Sequence, residues 1–150
     1  MQLEELWEKY REYDCFNLSV LPEHILKQGV RVTYPPRSVI LNRGEFPKYI
    51  YFIESGIALG TRDYNDGNNY YYFQIGTENG CLGLLEVLSH QPKVVATVVA
   101  GTEVTVLRIS SAVIYDYIMN SPEMLFRCLH IVSNDLYQRS GSDGLLYYRR

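Results

Sequence analysis

Residues 80–100 read Gly-Cys-Leu-Gly-Leu-Leu-Glu-Val-Leu-Ser-His-Gln-Pro-Lys-Val-Val-Ala-Thr-Val-Val-Ala. Gly80 and Gly83 bound a turn, and the apolar residues after them suit one short turn of helix. Val94-Val95-Ala96-Thr97-Val98-Val99-Ala100 is then a β-branched run that predicts a returning strand. The interruption between strands is far shorter than a crossover helix, so the segment belongs to an antiparallel β unit.

The same grammar extends on both sides. Tyr51-Phe52-Ile53-Glu54-Ser55-Gly56-Ile57-Ala58-Leu59 is a strand, a tight glycine turn and a second strand. Upstream, Val30, Val32 and Tyr34 alternate with Arg31 and Thr33, and Val39-Ile40-Leu41 runs into the turn Asn42-Arg43-Gly44-Glu45. Asn65-Asp66-Gly67-Asn68 is a hairpin signal, because Asp-Gly tolerates the positive φ of a type I′ turn. Tyr70 to Ile75 follows it, and Glu103 to Ile109 forms the last strand after Gly101-Thr102. About eight short antiparallel strands without crossover helices make a sandwich, a jelly roll or a small barrel.

Helical spacing flanks this unit. Leu3, Leu6, Trp7, Tyr10 and Tyr13 form an apolar stripe, and a short helix spans Pro22 to Gln28 before Gly29. Ser110 or Ser111 caps a helix to Met119, and Ser121-Pro122-Glu123 starts a longer one. Along it Leu125, Leu129, Val132, Leu136, Arg139, Asp143 and Leu146 step as a heptad seam. The seam turns polar after Leu136, and Ser140-Gly141-Ser142-Asp143-Gly144 favours helix poorly. Two readings stay open: a helix packed on its own barrel with a frayed tail, or a dimer helix with a flexible or ligand-sensing stretch. The chain divides into N-terminal helices (1–29), a β-barrel (30–109) and C-terminal helices (110–150).

In this order of elements, and in the three glycine-punctuated patterns at 39–45, 51–59 and 80–100, the sequence resembles the cyclic nucleotide-binding domain of the Crp/Fnr family of bacterial transcription regulators. The resemblance implies a double-stranded β-helix, or jelly roll, that holds an effector against a long C-terminal helix. It also implies that this helix pairs with its copy in a homodimer. A helix-turn-helix DNA-binding domain normally follows, so one is expected beyond Arg150, and any contact with DNA would run through it.

The family's phosphate cassette looks like Gly-Glu-Leu-x-Leu followed by Arg-Ser/Thr-Ala. A helix N-terminus and the Arg fork receive the cyclic phosphate, and the Glu accepts from the ribose hydroxyl. Gly80, Leu82, Gly83 and Leu84 match the framework, but Cys81 stands at the Glu position. Matching Ala96 to the cassette Ala puts Val94 at the Arg position and Val95 at the Ser/Thr position. Lys93 is one residue off and would face the other way on a strand, unless a local slip brings it into the pocket. The pocket therefore suits a less polar effector than cAMP, an aromatic acid for example, or no effector. Cys81 is either a packed residue or a redox reporter whose pKa a helix N-terminus lowers. Arg139 and Ser140 fall at the family's base-contacting positions, where Arg139 either reaches an anionic effector or extends to solvent.

Composition removes several other classes. Lys and Arg total 14 against 17 acidic residues, a net charge of −3, which does not suit direct nucleic-acid binding by this chain. No apolar run approaches the roughly 20 residues of a membrane span, and the acidic start is unlike a signal peptide. Cys15, Cys81 and Cys128 lack disulfide or metal spacing, which points to a reducing cytoplasm. His24, His90 and His130 are too scattered for a cupin-type metal site, and no catalytic arrangement is indicated. The alternative to a regulator is a stand-alone binding module without a DNA role. Finally, 14 Tyr against 5 Phe suit a half-buried sheet, with Tyr70 or Tyr72 offered as the hydroxyl of a pocket that has lost its Arg and Glu.

Overall fold

The period-two segments pair into two four-stranded antiparallel sheets. One has the order β1 (Val30–Tyr34), β8 (Val104–Ser110), β3 (Tyr49–Ser55), β6 (Cys81–Leu82). The other has the order β2 (Val39–Leu41), β7 (Thr97–Ala100), β4 (Ala58–Asp63), β5 (Asn69–Ile75). Late strands lie between early ones in both, which is the interleaving of a jelly roll. The computed structural model describes residues 2–11, 15–63, 69–78 and 80–143, of which 62, 63, 69–72 and 139–143 are described as backbone alone. The Asn65-Asp66-Gly67-Asn68 turn lies outside the described residues, although β4 and β5 on either side of it do pair.

Register divides the first sheet into two faces. Val106 lies opposite Val32 and Ile53, and these point between the sheets. Leu107 lies opposite Phe52, and with Ile50 and Ile109 they point the other way, toward the helices. The inter-sheet core is Ile40, Leu41, Tyr51, Ile53, Ala58, Leu82, Val94, Val98, Ala100, Val104 and Val106. The helix-side core is built on Phe16, Ile50, Phe52 and Ile109, with Ile114 and Ile118 from α4 (Ser111–Met119) and Met124 and Cys128 from α5 (Pro122–Asp143). Each fully buried Ile or Phe there contributes about 1.5–3 kcal/mol. At the β3–β4 turn Gly56 has φ +89°, and a Cβ would lie 2.1 Å from the Glu103 carbonyl oxygen, so no other residue fits.

Three expectations change. The strand expected from Val94 begins only at Thr97. The backbone of Val94 bonds instead to the β2–β3 turn, donating to the Glu45 carbonyl (2.9 Å) and accepting from Gly44 N–H (2.8 Å). The short helix expected over 22–28 is regular only as α2 (Glu23–Leu26). And α5 continues through Ser140, Gly141 and Ser142 despite their poor propensity. Its start is as expected, with Ser121 Oγ accepting from Met124 N–H at 3.3 Å. On α1 (Leu3–Lys9) Leu3 and Trp7 of the apolar stripe are exposed, as is Tyr10 just beyond it.

Candidate functional site

The corner between β6 and β7 is where the glycine pattern of residues 80–100 folds. Cys81 and Leu82 are neighbours on a strand and so face opposite ways. Leu82 enters the inter-sheet core, whereas Cys81 packs into the helix-side core near Cys128. Burial pushes the Cys81 thiol up to about 12, with Cys128 adding to the effect. Cys81 thus lies on β6, before the Gly83 cap of α3, and its surroundings raise the thiol rather than lower it, which favours the packed alternative. The helix that follows, α3 (Leu84–Leu88), is capped by Gly83 at φ +97°, where a Cβ would press on the Tyr49 carbonyl oxygen at 3.0 Å.

The expected pocket residues scatter. Gly80 is buried and Leu84 turns to the helix-side core. Val94 enters the inter-sheet core, but Val95 and Lys93 on either side of it are exposed. The slip that would bring Lys93 inward has not occurred, because the hydrogen bonds of Val94 to residues 44 and 45 pin the register. Thus, of the corner positions, Leu82 and Val94 reach the space between the sheets. Tyr72 lies on β5 and Arg139 and Ser140 lie on α5, all three described as backbone alone.

One residue at this corner escaped the sequence reading. Glu86 of α3 is 6% exposed, and its Oε2 accepts from Val95 N–H at 3.1 Å. A buried carboxylate needs such a donor. Its consequence is that the backbone N–H at the cassette's Ser/Thr position is already occupied, and by a negative group. The only hint in sequence was a lone acid inside Leu84-Leu85-Glu86-Val87-Leu88.

A second cluster lies across the inner face of β3 and β8. Arg108 is directly opposite Tyr51 and shares the face of Val104 and Val106. Its guanidinium carbon sits 4.5 Å from the centroid of the Tyr49 ring, a cation–π contact. Its Nε is buried without a hydrogen-bond partner among the described residues. Tyr49 and Tyr51 meet edge to face at 6.1 Å, and Tyr34 packs on the same core. Burial pushes the Tyr51 hydroxyl up to about 12, helped by Tyr34 and Glu45 and opposed by Arg108. Burial raises Tyr34 as well, again against Arg108. Both phenols are therefore neutral at neutral pH and keep a proton to donate. The signal was present in sequence, since Arg108 is the one charged residue of Val104-Thr105-Val106-Leu107-Arg108-Ile109 and shares the inward parity of Val104 and Val106.

On α5, Met124 and Cys128 face the helix-side core, while Leu125, Leu129, Val132 and Leu136 are 38–60% exposed. The seam thus points away from the chain's own barrel. Among the described residues no three His, Cys, Asp or Glu side chains converge as a metal site, and no helix is long and apolar enough to cross a membrane.

Against this geometry, a family model described as cyclic nucleotide-binding domain matches residues 31–121. The fold is similar to the catabolite activator protein of Thermus thermophilus, at 19% identity and a TM-score of 0.72, over 87% of this chain and 62% of that one. It is similar to the sensor domain of the transcriptional regulator DNR from Pseudomonas aeruginosa, at 16% identity and a TM-score of 0.71, over 95% of this chain and 96% of that one. A transcriptional regulator from Thermotoga maritima aligns at 19% identity and a TM-score of 0.69, over 84% of this chain and 95% of that one. No curated protein matches the sequence.

Proposed function

The chain belongs to the cyclic nucleotide-binding domain family, and from that premise we propose that it is the effector-sensing and dimerisation domain of a Crp/Fnr-like transcription regulator that answers to a small molecule other than cAMP. The regulatory role rests on the kinds of protein that share its fold. The effector reading rests on one observation above all: Glu86 occupies the Val95 N–H at a corner that carries no inward cation. A cyclic phosphate needs donors there and would meet a carboxylate.

Dimerisation is read from the exposed seam, and the occupant of that seam is a second copy of this chain. Heptad spacing on both partners lets Leu129 and Leu136 interdigitate with their equivalents. The coupling runs through β3 and β8. Their inward residues meet the effector, and their outward residues Phe52, Leu107 and Ile109 share a core with Met124 and Cys128 of α5. An effector that favours one packing of that core shifts the relative orientation of the two long helices.

Two measurements test this. Titration calorimetry with cAMP and cGMP is expected to give no heat of binding up to millimolar ligand, and a micromolar response to either would reject the effector reading. In sedimentation equilibrium the native chain is expected to be a dimer and Leu129→Asp with Leu136→Asp a folded monomer. An unchanged association state removes the seam.

A further inference from the structure

Resting on that reading, we propose that Arg108, with the phenols of Tyr34 and Tyr51, is the anion seat of the effector site, and that the effector is a small aromatic carboxylate. The inward cation of this domain stands on β8, an inner strand of the β1–β8–β3–β6 sheet, and not at the cassette corner.

The first support is the state of Arg108. A guanidinium has five N–H donors in a planar fork and no way to neutralise itself. Here the Nε is buried with no described partner, and Arg108 takes part in no ion pair among the described residues. Arg31, which lies on the other face of the same sheet, shows the contrast. It holds Glu54 through two bonds of 2.8 Å. A carboxylate approaching Arg108 would supply what Glu54 supplies to Arg31.

The second support is the surround. Arg108 is half-buried as a residue, with its Nε covered, so a carboxylate meets the open part of the side chain first and reaches the Nε as the Tyr49 ring gives way. Glu45, the acid whose field reaches Tyr34 and Tyr51, already accepts the Asn42 N–H at 2.6 Å and is exposed. Tyr34, Tyr49 and Tyr51 add flat faces, and Leu82, Val94 and Val106 add an apolar wall. One fork, neutral phenol donors and several ring faces suit one carboxylate on a flat apolar body. They do not suit a nucleotide, whose ribose would find Cys81 turned to the other core.

The test uses the 150-residue chain, with benzoate as probe and benzamide as its neutral isostere. Calorimetry is expected to show benzoate binding at least about tenfold more tightly than benzamide, the size of one charge-assisted pair. Arg108→Gln is expected to erase that preference, whereas Lys93→Gln retains it. On the native protein, the Arg108 Nε–H resonance is expected to shift with benzoate and not with benzamide, which needs no variant to fold. The inference is overturned if Arg108→Gln keeps the preference, if the native chain does not distinguish the two probes, or if the Nε–H resonance ignores benzoate. Those failures leave the expected dimer and the expected lack of a cAMP response untouched. Tight cAMP binding or a monomeric native chain would instead strike the regulator reading itself.

Discussion

The two faces of the β1–β8–β3–β6 sheet use the same strands for different ends. Toward the helices, Ile50, Phe52 and Ile109 are fully buried, and Phe52 meets the Phe16 ring at 5.9 Å. Toward the other sheet, the alternate residues include Tyr49, Tyr51 and Arg108, with hydroxyls and a charge among the aliphatics. A one-residue step along β3 or β8 separates a dry structural core from a polar lining. The difference teaches that the inner face, beside a buried core of its own in Ile53, Val104 and Val106, also carries groups that packing alone would not select.

The sharpest way to break that comparison is to trim neighbouring aromatic residues, a ring on one face and a hydroxyl on the other. Phe52→Ala is expected to cost about 3–5 kcal/mol in urea unfolding, as large core truncations do. Tyr51→Phe, one residue away, removes just a hydroxyl and is expected to cost under about 1.5 kcal/mol. Equal losses would mean that the Tyr51 hydroxyl is itself a structural group.

Glu86→Ala is expected to come next, costing about 1–3 kcal/mol, because a part-buried hydrogen bond is lost with the buried side chain that accepts it. A neutral result by the same measurement would show that water replaces the carboxylate.

Alkaline titration sharpens the polar side. Tyr51 is raised from 10.0 to about 12, so its contribution to stability is whole below pH 10 and is lost as pH rises through about 12. Cys128, raised from 9.0 to about 11, adds a loss between those two values. Spectrophotometric titration is expected to find buried tyrosines ionising late, and Tyr51→Phe to remove the latest step. A titration curve unaltered by Tyr51→Phe would refute the assignment.

The smallest effect is expected at Arg108. Arg108→Met exchanges an unpartnered buried Nε for an apolar group, and unfolding free energy is expected to move by less than about 1 kcal/mol or to rise. A large loss would make Arg108 a structural residue and blur the two faces.

Much of this was legible in the chain. The glycine at 56, the heptad at 125–136 and the turn before Pro122 each state a local rule that tertiary packing left in force. The site was less legible, for two physical reasons. Val94 looked like strand because β-branched content marks pleated backbone, yet its N–H and C=O went to a turn 50 residues away in sequence. Cys81 looked like a pocket residue by its place in a pattern, yet a two-residue strand gave it to the other core.

What the sequence determined by itself was the kind of fold, because alternation, turn chemistry and capping are local and repeat along the chain. What only the tertiary structure decided was which side chains share a space. Glu86 meets Val95, and Arg108 meets Tyr49 and Tyr51, through pairings between segments far apart in the chain. Period and propensity carry no record of such meetings, since they are set by strand register and by the order in which strands join a sheet.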